Sequence, residues 1–160
     1  MNTDLQQVLT EWAENVIGKI QSNLDSTGTT ASGKTKESLR YEVNDNQLII
    51  YGRQYFRSVE EGRGAGKIPY KFNDILYKWA EAKGILANFG ETESQQRSAM
   101  YAVGQFIKKN GTQLYIKGGR TDIYSNVLND EVPVLMDQIG WMVMDTIVKD
   151  LKENNKFNKK

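Results

Sequence analysis

The chain contains no histidine, no cysteine, only two prolines and almost no net charge. Each shortage removes a class of chemistry. Without His there is no Ser–His or Cys–His activation of a nucleophile, and no imidazole to move protons near neutral pH. Without Cys there is no disulfide, thiolate zinc site or thiol redox centre. Any metal would need oxygen ligands alone, which restricts the choice to ions such as Mg²⁺, Mn²⁺ or Ca²⁺. The 21 basic and 20 acidic side chains leave a formal charge of +1, too little to hold a polyanion along the whole surface. Long apolar runs are missing as well. The most apolar stretch, Ile139–Met144, is far too short to span a bilayer, and the opening MNTDLQQVLTEW lacks the pattern of a secretory signal. The expectation is a protein without catalytic residues, cofactor or resident metal, made and kept in a cytosol-like setting.

What is present suits one folded domain: 160 residues, 39% hydrophobic and 10% aromatic. Leu5, Val8, Leu9, Trp12, Val16, Ile20 and Leu24 recur three or four apart, with Ile17 widening the stripe, which predicts an amphipathic helix over 3–24. Thr3 with Gln6 forms a capping-box pattern at its start. A polar loop of small residues follows over 25–35. Leu39, Tyr41 and Val43 then alternate with charged residues, Asn44-Asp45-Asn46 supplies turn chemistry, and 48–51 is a second β-rich run, so a hairpin is expected. Residues 55–62 read as a short helix ending at Gly62. A helix from Phe72 carries Ile75, Leu76, Trp79 and Ala80 on what reads as a core-facing stripe and stops at Gly84. Thr92 and Gln95 open another, with Met100, Val103, Phe106 and Ile107 on one face, ending at Asn110-Gly111. Residues 112–117 read as a strand, and Thr121 as the cap of a short helix. A final helix starts near Asp130 with Pro133 in its first turn. The sum is an α+β fold in which long N- and C-terminal helices and a central helix pair pack around a small antiparallel sheet.

The final helix carries two apolar stripes where a surface helix of a monomer needs one. The first runs Val132, Leu135, Met136, Ile139, Val143, Ile147 and Leu151, and the second repeats every seven residues through Val134, Trp141 and Val148. The second stripe either lies between two helices of the same domain or meets another subunit, with Trp141 as an anchor.

Four other features carry weaker signals. Gly28–Thr35 matches the phosphate-loop pattern G-x-x-x-x-G-K-[ST], yet a helix precedes it where a buried strand is required. Gly62–Lys67 is a second glycine cluster, either a flexible connector with solvated charges or a loop that docks on an acidic partner through Arg63 and Lys67. Glu60 and Glu61 read as a solvated surface pair. Finally, aromatics from Tyr51 to Trp79 alternate with Arg53, Arg57, Arg63, Lys67, Lys71 and Lys78, a composition found both on single-strand binders and at protein interfaces. The near-neutral charge favours protein contact.

The order Glu61-Gly62-Arg63-Gly64-Ala65-Gly66-Lys67-Ile68-Pro69, then Trp79 and Lys83-Gly84-Ile85, then Arg97–Val103 and Lys108-Lys109-Asn110-Gly111-Thr112 resembles a known family. It is similar to the head–tail joining, or tail-completion, neck proteins of tailed bacteriophages, in versions from phages of Bacteroides-type hosts. The likeness covers about residues 32–128, and Tyr70 stands where such proteins often carry a second proline. The resemblance implies a non-enzymatic virion protein made in the host cytoplasm. It forms a homo-oligomeric ring, twelvefold or sixfold, which joins the portal to adjacent neck or tail rings and lets genome DNA pass through its lumen. On this reading residues 1–153 form one neck domain and 154–160 a flexible basic tail. Arg57, Arg63 and Lys67 make polar docking contacts, and Trp141 and Val148 pack against a neighbour. A small phosphate-loop-like nucleotide-binding protein and an accessory nucleic-acid-binding protein are the alternatives.

Overall fold

The computed structural model describes residues 3–44 and 47–157, with side chains from 4 to 153. Its fold is α+β, about two-thirds helix with one two-stranded antiparallel sheet and long terminal helices. The first helix, α1 (Thr3–Ser26), buries Leu9, Trp12, Ala13, Val16, Ile17, Ile20 and Leu24, the stripe expected from their spacing. The Thr3 side chain, and with it the Thr3–Gln6 capping box, lies outside the described residues. A single helical turn, α2 (Lys34–Glu37), leads into β1 (Arg40–Asn44), which pairs with β2 (Gln47–Tyr51) in the register Arg40↔Tyr51 to Asn44↔Gln47. The turn residues Asp45 and Asn46 lie outside the described residues. Leu39, Leu48 and Ile50 lie against the core formed by α1, and Tyr41 donates to Glu14 of α1 at 2.8 Å.

After the turn α3 (Ser58–Glu61), the chain runs through the glycine segment to α4 (Phe72–Ala82), a 3₁₀ turn at Leu86–Phe89, and α5 (Glu93–Asn110). The Thr92–Gln95 capping box is fully formed, with both reciprocal hydrogen bonds present. Helices α4 and α5 cross where Gly104 is buried. A Cβ there would sit 2.8 Å from Asn73 Oδ1 and in contact with Phe72 and Leu76, so glycine lets the two helices approach without displacing the Asn73 side chain.

Two expectations are corrected at the C-terminal end. Residues 112–117 form no strand; Gln113–Ile116 is a helical turn, α6, capped by Thr112 and closed by the positive-φ glycines Gly111 and Gly118. Nor is there a short helix followed by a second starting at Asp130. A single helix, α7, runs from Ser125 to Phe157, so Pro133 lies inside it and the helical backbone passes the expected domain boundary at 153. Pro133 has no amide to give the Asn129 carbonyl one turn back. In that same turn the Trp12 indole donates to the Glu131 carbonyl at 2.8 Å, and the Glu131 carboxylate takes Lys19 and Asn15 of α1.

The start of α7 explains why the helix forms there. Glu60, read from the sequence as a solvated surface carboxylate, is only 2% exposed. Its Oε1 accepts the backbone amides of Ile123, Tyr124 and Ser125 at 2.8, 2.6 and 3.0 Å, and its Oε2 takes the Ser125 hydroxyl. The Ser125 amide is the first of the helix, and those of Ile123 and Tyr124 belong to the turn that leads into it. None has an intrahelical partner, and all lie at the positive end of the helix dipole, so an anion here satisfies both needs. Ile123, fully buried, and Val127 follow directly into the core against Trp12, Val16, Ile20 and Leu24.

Glu60→Ala leaves these donors unpartnered beside the core and is expected to destabilise the fold by about 3–5 kcal/mol, with Glu60→Gln losing less because its amide oxygen can still accept. Urea unfolding of the two variants checks this. A loss below 1 kcal/mol for the alanine variant would contradict the buried cap.

Candidate functional site

Two surfaces stand out, one on α7 and one beside α4. Along α7, Leu135, Ile139 and Met142 are half-buried, whereas nearly every other apolar residue beyond Glu131 is exposed. Trp141 is 73% exposed, and Val143, Met144, Ile147, Val148 and Leu151 also face outward. Both stripes of the helix are therefore uncovered over its distal half. Burial of the second stripe within the domain, one of the two readings open from the sequence, does not occur. So many adjacent apolar side chains on one projecting element form a patch of the kind that marks a contact surface. Lys149 pairs with Asp145 one turn away, which keeps the polar edge of this stretch ordered.

The second surface is a cleft of about 620 Å³ between the loop 29–36, α3 and α4. Its walls are apolar: Leu24, Val59, Phe72, Ile75 and Trp79. Ile75 and Trp79 were expected in the core. They are instead 50% and 43% exposed, while the small Ala80 is the residue of α4 that is fully buried. The periodicity of α4 was legible, but periodicity cannot say whether a face meets the protein's own interior or a groove. Lys34, Lys36, Arg53, Arg63 and Lys78 line the same cleft, and among the described residues no Asp or Glu does. Lys36 is matched by Asp25, whose carboxyl its ammonium holds below the ordinary range.

The phosphate-loop pattern lies on the rim of this cleft but is not built to cradle phosphate. The amide of Gly28 donates to the Asp25 carbonyl, and those of Thr29 and Thr30 to the Leu24 carbonyl, so they finish α1. A phosphate loop needs its amides free and convergent on the anion. The Lys83 ammonium binds the Gly28 and Thr30 carbonyls, and the helix after the loop is one turn long. No group of three or more metal-ligating side chains is gathered among the described residues.

The glycine cluster is not a loose connector, because its backbone is tied to α5 and the start of α6. Arg63 donates its amide to Thr112 Oγ1 at 2.9 Å, Thr112 returns its own amide to the Arg63 carbonyl at 2.8 Å, and Gly66 donates to the Lys108 carbonyl at 2.9 Å. This backbone-to-backbone approach dictates the glycines. Gly62 has φ +71°, and a Cβ on it would lie 2.4 Å from the Tyr115 amide nitrogen. Gly111 is buried, with φ +85°, and its Cβ would meet the Arg63 carbonyl at 2.7 Å.

The five expected contact residues fall in different settings. Arg57 is exposed and pairs with Glu61 on its own turn. Arg63 is folded inward, donating to the Lys67 carbonyl at 2.5 Å with its guanidinium over the Phe72 ring. Lys67 is exposed on the loop, while Trp141 and Val148 stand together on the uncovered face of α7. Among the interleaved aromatics, Tyr51, Tyr55, Phe72, Tyr70 and Tyr77 each lie under a cation of the same chain, so their faces are already engaged.

Gly62→Ala should cost about 3 kcal/mol or more, because it adds both a strained φ and a backbone clash. Gly18→Ala, at an exposed position of α1 with open space around it, should instead stabilise by about 0.5–1 kcal/mol. Thermal melts of the pair check the contrast; similar effects from both would show that the glycine loop is not closely apposed to α6.

Among the described residues no helix is long and apolar enough to cross a membrane. Compared with family models, curated proteins and solved structures, the chain matches none.

Proposed function

We propose that the protein is a non-enzymatic structural subunit that assembles with copies of itself into a ring in the neck of a tailed bacteriophage. In that position it joins the portal to the tail, and the genome passes through its lumen. The observation that carries the assembly is the distal half of α7, where Trp141, Met144, Ile147, Val148 and Leu151 are all exposed among the described residues. Exposed apolar surface of this extent is unfavourable in a free monomer and becomes favourable once a neighbour covers it.

The neck assignment rests on the resemblance described above, and one structural feature supports it. Two of the segments that carry the likeness meet in space: the loop beginning at Gly62 is hydrogen-bonded to Lys108 and Thr112. A near-neutral surface also suits a lumen past which DNA must slide without being held. The nucleotide-binding alternative loses support from the amides that finish α1.

Native mass spectrometry of the purified chain is expected to give a sixfold or twelvefold multiple of 18.2 kDa without bound nucleotide. Trp141→Asp should yield a folded monomer with an unchanged thermal midpoint, since the side chain it replaces is exposed. A wild-type chain that stays monomeric, or a Trp141→Asp variant that unfolds, would contradict the proposal.

A further inference from the structure

We infer that the uncovered distal half of α7 of one copy docks into the basic apolar cleft beside α4 of the next copy. The inference rests on the self-assembly reading and deepens it by naming both faces of the contact. Its basis is the complementarity of two surfaces on the same chain. The cleft offers apolar walls, Ile75 and Trp79 above all, with a rim of Lys34, Arg53, Arg63 and Lys78 and no carboxylate among its described lining residues. The helix offers apolar side chains on both stripes, and between Val132 and Leu151 its charges are Asp137, Asp145 and Asp150 against the single Lys149. The basic residues of the chain end begin only at Lys152, beyond this stretch.

Pairing two α7 helices with each other would cover the same apolar area but would bring the aspartates of one helix against those of the other. Like charges brought together at an interface are unfavourable, and opposite charges steer association and fix its register. Docking in the cleft places the aspartates among cations instead. Trp141 is a suitable anchor, because a cleft of about 620 Å³ admits an indole and its neighbours. The two surfaces are separate, since no described residue of α7 lines the α4 groove. The contact is therefore heterologous, each copy giving its helix to one neighbour and its cleft to the other. Such contacts propagate head to tail and form a ring when the rotation closes.

The polarity of the contact supplies its test. Trp141→Asp disables the helix and leaves the cleft intact, whereas Ile75→Glu disables the cleft and leaves the helix intact; both side chains are exposed. Each variant alone should be monomeric by native mass spectrometry. An equimolar mixture should form a one-to-one dimer that grows no further, because only one competent helix and one competent cleft remain. Lys78→Glu, on the rim, keeps the measurement available if Ile75→Glu melts early, and should weaken assembly by at least about tenfold, more at low salt. If Ile75→Glu and Lys78→Glu assemble as the wild type does while Trp141→Asp alone is blocked, the helices pair with each other and the inference fails, although self-assembly stands. If both variants fold but their mixture stays monomeric, the two surfaces do not meet. A monomeric wild-type chain would overturn this inference together with the reading beneath it.

Discussion

The carboxylate of Glu60 sits where three backbone amides and a hydroxyl converge at the start of α7. Everything distal to that point depends on it. A 33-residue helix that packs on the domain along only part of its length must be fixed firmly where it is held, or its exposed end would sweep through a wide arc. Three contacts fix it: the anion at its N-terminus, Ile123 and Val127 in the core, and the Glu131 turn bound by Trp12, Asn15 and Lys19. A buried carboxylate is costly unless its lone pairs are filled and a positive potential surrounds it, and the helix N-terminus meets both conditions. Among the described residues Glu60 is the one buried charge, and it orients the element whose distal half is exposed.

The middle of the chain serves the same end by different means. Backbone hydrogen bonds from the glycine segment to Lys108 and Thr112 tie α3, α5 and α6 together, and Lys83 ties α4 to the loop that ends α1. Between these ties lies the cleft, walled by the apolar face of α4. The exposed half of α7, with its aspartates, and the cation-lined groove are of opposite charge, the complementarity on which the proposed contact between copies rests.

Features whose cause is local were legible in the sequence. The α1 stripe, the hairpin, the Thr92–Gln95 capping box and the glycine stop after α4 all follow from residues within a turn or two of one another. What was not legible depends on partners far along the chain. The start of α7 is not legible locally because its cap is Glu60, more than sixty residues earlier, and Pro133 has the pattern of a first-turn residue. Residues 112–117 hold the β-favouring run Leu114-Tyr115-Ile116, but with positive-φ glycines on either side they close into a single turn, α6. The glycine cluster from Gly62 has the composition for positive φ and close backbone approach, and Gly111 that of a helix end, but only the folded chain displays which backbone each one meets. Of the candidate site, the second stripe of α7 was visible as surplus apolar periodicity. The cleft was not, since Ile75 and Trp79 have the spacing of a core face.

The central claim is that α7 is anchored at its start and uncovered at its end until a neighbour covers it. Hydrogen exchange measured along α7 in dilute and in concentrated protein addresses this most directly, because an unsupported helical stretch opens far more readily than one held by packing. The account predicts strong protection around Val127–Glu131 at both concentrations, and protection of 141–151 that rises only on concentration. Equal, strong protection of both stretches in dilute monomer would contradict it.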